Sequence, residues 1–170
     1  MKKLLILGAG GYGRTVADLA AQLGYDWIRF LDDSRTGDHV LGKCEEYLRF
    51  LDGETDIYPA FGHNWNRMKW LEMFREQGLS VPTLIHPRAY VSPTANVSAG
   101  TVVLPMAVVN TGVTVNEGCI INIGALVDHD CILEAGCHLA PGAIVKAENR
   151  IRAGSKIESD IIVQNREFPL

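Results

Sequence analysis

Asp128-His129-Asp130 is the stretch of this chain best suited to moving a proton. An imidazole titrates near neutrality, and a neighbouring carboxylate raises its basicity, so His129 reads as a general base with Asp130 as the acid that tunes it. Asp128 reads as a neighbour rather than a participant. A second stretch is built for phosphate. Gly8-Ala9-Gly10-Gly11-Tyr12-Gly13 fits G-x-G-x-x-G. Glycines at that spacing let the backbone approach a pyrophosphate, and a following helix N-terminus supplies N–H donors. Asp32 and Asp33 lie about twenty residues on, where an acid commonly meets a ribose or base. The four cysteines, Cys44, Cys119, Cys131 and Cys137, form no C-x-x-C pair, which argues against a zinc site. They read as small buried hydrophobes in a reducing compartment.

The elements that hold these groups fall into two kinds. From Ile85 onward an aliphatic side chain recurs at every sixth residue: Ile85, Val91, Val97, Val103, Val109, Val115, Ile121, Val127, Leu133, Leu139, Val145, Ile151, Ile157 and Val163. In a chain that is 47% hydrophobic, an unbroken run of that length is roughly a 10⁻⁴ event. Four residues after most of them comes a small side chain, as at Ala107, Cys119, Ala125, Cys131, Cys137 and Ala143. Neither a helix nor an ordinary strand has a period of six. A parallel β-helix does, because short strands stack coil on coil and repeat their inward-facing residues. Val127 then points inward, and His129 lies at the surface or at a corner.

The first eighty residues read differently. Strands are expected at Lys2 to Leu7, Trp27 to Leu31 and Ile57 to Phe61, and helices at Arg14 to Leu23 and Asn66 to Gln77, with Ser80 to Leu84 leading into the repeat. That is half of a doubly wound sheet. A dinucleotide needs two such halves, so one half suits one nucleotide, and a nucleoside diphosphate-sugar fits better than a nicotinamide cofactor. A glycine turn serving only to pack the helix remains the alternative. The net charge of −4, with acids and bases mixed along the chain, argues against nucleic-acid or anionic-membrane binding. The longest apolar run near the start, Leu4 to Leu7, is too short for a signal peptide or a membrane span, so a cytoplasmic location is expected.

The aliphatic-x-x-x-small-x pattern resembles the hexapeptide-repeat acyltransferases. That resemblance implies a left-handed β-helix of triangular section with three hexads per coil, where the general rule for parallel crossovers would have favoured a right-handed one. A half-Rossmann unit, then Ile85-His86-Pro87, then the hexads, is similar to the sialic acid O-acetyltransferase and UDP-4-amino-sugar N-acetyltransferase type. The resemblance implies an α/β half-Rossmann domain at 1–82, an all-β left-handed β-helix at 83–163 and a tail at 164–170. It implies acetyl transfer from acetyl-CoA to a sugar, with a UDP-amino-sugar as acceptor and a homotrimer as the working unit. His129 and Asp130 match the family's catalytic pair. Gly8, Gly10, Gly11, Tyr12 and Gly13 match its phosphate loop, Asp32 and Asp33 its acidic pair, and Gly62-His63-Asn64 its loop beside the uridine, with His63 in place of the commoner Asn. His138 matches a histidine near the thioester, and Gly142 and Ala143 match the strip beneath the pantetheine arm. Asn122 matches an asparagine on the coil below the base, either near substrate or in an amide ladder inside the turn.

The pattern departs from the family near the end. Asn149 and Ile161 stand at small-residue positions, and Asp160 stands at a turn position suited to glycine. Lys146, Glu148, Arg150, Arg152, Lys156 and Glu158 crowd the last coils. The repeat is therefore expected to fray after Ala143 into a polar cap, which an open β-helix end needs against edge pairing. A shortened coenzyme A groove, and a binding protein that has lost turnover, form the second reading.

Overall fold

A computed structural model describes all residues, 1–170, as two compact units, Met1–Pro82 and Thr83–Leu170. In the first, the run KLLIL forms β1 (Lys3–Leu7), whose last four residues are buried. Strand alternation sends Leu5 and Leu7 into a cluster with Tyr47, Ile57 and Phe74, and turns Leu4 and Ile6 to the opposite face. The chain continues as α1 (Gly11–Gln22), β2 (Trp27–Leu31), β3 (Val40–Gly42), a 3₁₀ helix (Cys44–Phe50), β4 (Thr55–Pro59) and α2 (Asn64–Glu76). The sheet order is β3-β2-β1-β4, and every pairing is parallel. In α1, Gly13, Val16, Leu19 and Ala20 make the buried stripe.

Several boundaries differ from the sequence reading: β4 runs Thr55–Pro59 rather than Ile57 to Phe61, and α2 Asn64–Glu76 rather than Asn66 to Gln77. α1 begins at Gly11, not Arg14, because the glycine motif supplies the first helical turn as well as the loop. β3 and the 3₁₀ helix were not expected: three residues and one 3₁₀ segment are too short to show periodicity.

The second unit contains fourteen strands of two residues, arranged in three parallel sheets. The first face stacks Leu84–Ile85, Val102–Val103, Ile120–Ile121, His138–Leu139 and Lys156–Ile157. The second stacks Tyr90–Val91, Val108–Val109, Leu126–Val127, Ile144–Val145 and Ile162–Val163. The third stacks Asn96–Val97, Thr114–Val115, Ile132–Leu133 and Arg150–Ile151. Each partner lies eighteen residues along, which is three hexads per coil, and the fold is a left-handed parallel β-helix. The second residue of each strand points inward, and the repeated aliphatics form one continuous core.

Between strands the chain must turn sharply. The required residue has positive φ at every sixth position from Gly100 to Arg166, twelve in succession. Seven are glycines; Met106, Asp130, Glu148, Asp160 and Arg166 are not. The small-residue positions do more than avoid crowding. Thr101 Oγ1 donates to Asn116 O (3.1 Å), Cys119 Sγ to Glu134 O (3.2 Å), Cys131 Sγ to Lys146 O (3.1 Å) and Cys137 Sγ to Arg152 O (3.1 Å). Each closes onto a carbonyl fifteen residues ahead, on the coil above. The cysteines are thus weak donors as well as small fillers.

The repeat does not fray after Ala143. Arg150–Ile151, Lys156–Ile157 and Ile162–Val163 keep the eighteen-residue register. The tail winds on as well, since Arg150 N donates to Phe168 O at 2.7 Å, again eighteen residues apart. Asn149 is the reason this end holds. Its buried amide donates to Lys146 O (2.8 Å) and Gln164 O (2.7 Å) and accepts from Phe168 N (2.8 Å). Asn149→Ala should orphan those groups and cost about 2–4 kcal/mol in urea or thermal unfolding of the chain.

Candidate active site

Parallel strands place ligands at their carboxyl ends, at the point where the strand order reverses. In the first unit that point lies between β1 and β4. A Cβ added at Gly8 (φ +100°) would stand 3.1 Å from Ala60 O and 3.5 Å from the Phe61 ring, so the glycine loop and the loop after β4 already touch. A Cβ at Gly13 would fall 1.9 Å from Gly8 O, which makes that glycine a requirement of helix-on-strand packing. Gly10, the N-cap of α1, and Gly11 face open space. No side chain caps α1, so its first N–H groups are available to an anion. The first unit therefore has the backbone for a phosphate.

Several side chains expected around a bound nucleotide are engaged elsewhere. Asp32 Oδ2 accepts from Ala9 N (2.8 Å), and Oδ1 accepts from Ser34 N (2.9 Å) and Arg35 N (2.8 Å). Burial pushes its pKa up, but the three N–H bonds outweigh that and hold it below the ordinary value. Asp32 thus braces the glycine loop. Asp33 is exposed, and its Oδ1 accepts from Cys44 N (3.0 Å). The Tyr12 hydroxyl points down to that of buried Tyr58 (2.8 Å), which leaves its backbone N–H, not its phenol, on the phosphate side. Asn64 is buried, with Oδ1 accepting from Arg67 Nη2 (3.0 Å). Beside it, Gly62 has open space around it, and exposed His63 caps α2, its Nδ1 accepting from Asn66 N at 3.4 Å.

In the second unit, Asp128-His129-Asp130 forms the turn between the second and third faces. Val127 is buried and His129 is 49% exposed at its side chain, so the corner presents the imidazole to solvent. His129 Nδ1 meets Asp130 Oδ2 at 2.8 Å, which leaves Nε2 as the outward nitrogen. That bond, with the charges of Asp128, Asp130 and Glu148, raises the His129 pKa above its ordinary 6.5. Asp128 is more than a bystander: its Oδ1 accepts from His129 N (2.7 Å) and from Asn110 Nδ2 (3.0 Å), tying the turn to the coil below. A Cβ at Gly112 would lie 2.4 Å from Asp130 Oδ1, so the glycine one coil down leaves the space in which that carboxylate lies.

His138 and Asn122 belong elsewhere on the column. His138 stands outward on the first face, and its Nε2 pairs with Asn122 Nδ2 at 3.2 Å. The structure brings these two together, but not with His129, which sits at the corner between the other two faces. Ala143 is fully buried, its N–H donating to Ala140 O and its carbonyl accepting from Leu126 N. Gly142 is half-buried, and its N–H donates to Ile123 O (3.0 Å), so the coil stack engages the backbone of both residues. A titration followed by NMR should show His129 ionising above pH 6.5. Asp130→Asn, which tolerates the same left-handed backbone, should move that ionisation down toward the ordinary value.

The profile of the PglD N-terminal domain matches residues 3–74. The acetyltransferase domain of PglB from Neisseria gonorrhoeae FA1090 is 38% identical over 95% of this chain and 88% of that one, with a TM-score of 0.85. The same domain in complex with acetyl coenzyme A is 37% identical over 99% of this chain and 93% of that one, again at 0.85. PerB from Caulobacter crescentus, in complex with CoA and GDP-perosamine, is 29% identical over 94% and 84% of the two chains, with a TM-score of 0.79. With its half-Rossmann unit, its eighteen-residue coils and this extent of identity, the chain belongs to the hexapeptide-repeat sugar acetyltransferases.

Proposed function

We propose that this protein transfers an acetyl group from acetyl-CoA to the amine of a UDP-amino-sugar, with His129 as general base. The observation that carries this reading is the exposed His129, clamped at Nδ1 by Asp130 so that Nε2 faces outward. The acyl group arrives already activated as a thioester, so no enzyme nucleophile is required. His129 takes the proton from the attacking nitrogen as the carbon–nitrogen bond forms and the carbon–sulfur bond breaks. Asp130 holds the tautomer and stabilises the imidazolium. The uncapped glycine loop of the first unit suits the pyrophosphate of the acceptor, and the exposed Asp33, Gly62 and His63 are the residues this reading assigns to its nucleoside. The match to the PglB domain seen with acetyl coenzyme A extends over 93% of that chain, which supports an intact rather than a shortened cofactor groove. PerB was solved with a GDP-linked sugar, so GDP-amino-sugars belong on the acceptor panel beside the UDP-linked ones. No helix is long and apolar enough to cross a membrane, and both proposed substrates suit a cytoplasmic reaction.

The separation of His129 from His138 within one chain favours a site completed by a second copy. The second face supplies a surface for it. Its outward residues, Tyr90, Val108, Leu126, Ile144 and Ile162, are all apolar, and Met106, Ile123 and Ile161 stand exposed along the adjoining corner. A continuous apolar strip of this kind marks an interaction surface, and the reading makes it the contact of a homotrimer.

Free-thiol release from acetyl-CoA should occur with at least one amino-sugar of the panel, and His129→Ala should lower the rate about 10²- to 10⁴-fold. Release unaffected by that substitution would remove His129 as the base; no release with any acceptor would favour a binding protein. Light scattering should give three times the 18.7 kDa chain mass, and Ile144→Glu on the outer face should reduce it.

A further inference from the structure

The three corners of the column treat their left-handed position differently. Where the third face turns into the first, every such residue is a glycine: Gly100, Gly118, Gly136 and Gly154. At the corner that carries His129, the same register holds Gly112, then Asp130 (φ 56°), Glu148 (φ 59°) and Arg166 (φ 54°). Each non-glycine residue there holds a left-handed backbone that strains an L side chain and that glycine adopts freely. Three charged residues in succession, in a conformation glycine fits better, point to something their side chains do.

Their contacts show what it is. Asp130 holds His129 Nδ1. Glu148 sits one coil above Asp130, held there by the ordinary stacking bond of its N–H to the carbonyl of His129 (3.2 Å), the counterpart of Asp130 N on Thr111 O. Its carboxylate is paired with the Arg166 guanidinium, one coil higher again. The charges around the imidazole are therefore those of Asp128 and Asp130 on its own turn and Glu148 on the coil above. Lys146, on that upper turn, directs its ammonium to Gln164 Oε1 (2.6 Å). The coil below offers only the uncharged Asn110 and Thr111.

We propose that Glu148 and Arg166 are positioning residues for His129. Glu148 brings a carboxylate to the coil above Asp130, and its ion pair with Arg166 draws that carboxylate away from the imidazole, so that Asp130 alone binds Nδ1. This inference rests on the reading of His129 as the base. Without Arg166, the carboxylate of Glu148 loses its ion-pair partner and acts on the imidazole undiminished, beside those of Asp128 and Asp130. The negative charge of Glu148 already adds to the basicity of His129, in keeping with that proximity.

The test uses the full chain. Arg166→Gln should raise the His129 NMR titration midpoint, and with it the acidic limb of kcat/KM, by about 0.5 pH unit, a roughly threefold loss of rate below the limb. Arg166→Gln combined with Glu148→Gln should bring both back to the wild-type position or lower. A structural role alone would lower the melting temperature and leave the titration where it is. An unmoved midpoint in Arg166→Gln, or a midpoint still raised in the double variant, would overturn the inference. The NMR midpoint reads the charge column even if His129→Ala keeps its rate, so failure of the base assignment and failure of this inference are told apart.

Discussion

Every functional group in the second unit is placed by one interaction: the hydrogen-bonded stacking of each coil on the next at a constant offset of eighteen residues. A strand of two residues has no stability of its own. It persists because its backbone is bonded to the coils above and below while its inward aliphatic joins a continuous core. The same offset converts sequence distance into vertical distance. Asn110 comes to lie under Asp128, Gly112 under Asp130, and Glu148 over it. The geometry of the candidate base is thus a consequence of register, and any slip would separate His129 from the groups that hold it.

The first unit depends on a different constraint, the close approach of helix to strand at Gly13 and of two loops at Gly8. There the backbone, more than the side chains, is arranged for an anion. Asp32 shows how the two interact: its carboxylate gathers three backbone N–H groups, one of them from the glycine loop, and so gives the loop its shape.

Much of this was legible in the residues. The six-residue aliphatic beat survives any local detail because inward positions admit little else, and Gly8 and Gly13 of the glycine motif survive because a Cβ there would crowd backbone. What was not legible shares a physical cause. The downward Tyr12 hydroxyl, the bracing role of Asp32 and the inward turn of Asn64 depend on what lies across the fold, which no local pattern encodes. Asn149 looked like a defect in the small-residue phase. It became a plug only once Gln164 and Phe168 were known to lie above it. The pairing of Glu148 with Arg166 was hidden for the same reason, since eighteen residues separate partners that touch.

The three thiols inside the column carry a consequence of their own. Cys119, Cys131 and Cys137 are fully enclosed, each with its sulfur bonded to a carbonyl of the neighbouring storey. An alkylating reagent or an oxidant cannot reach them while the storeys stay shut, and burial raises the pKa of Cys131, keeping it in the unreactive thiol form. The molecule therefore contains a built-in record of its own breathing: modification of those sulfurs dates the moment at which one level of the column lifts from the next.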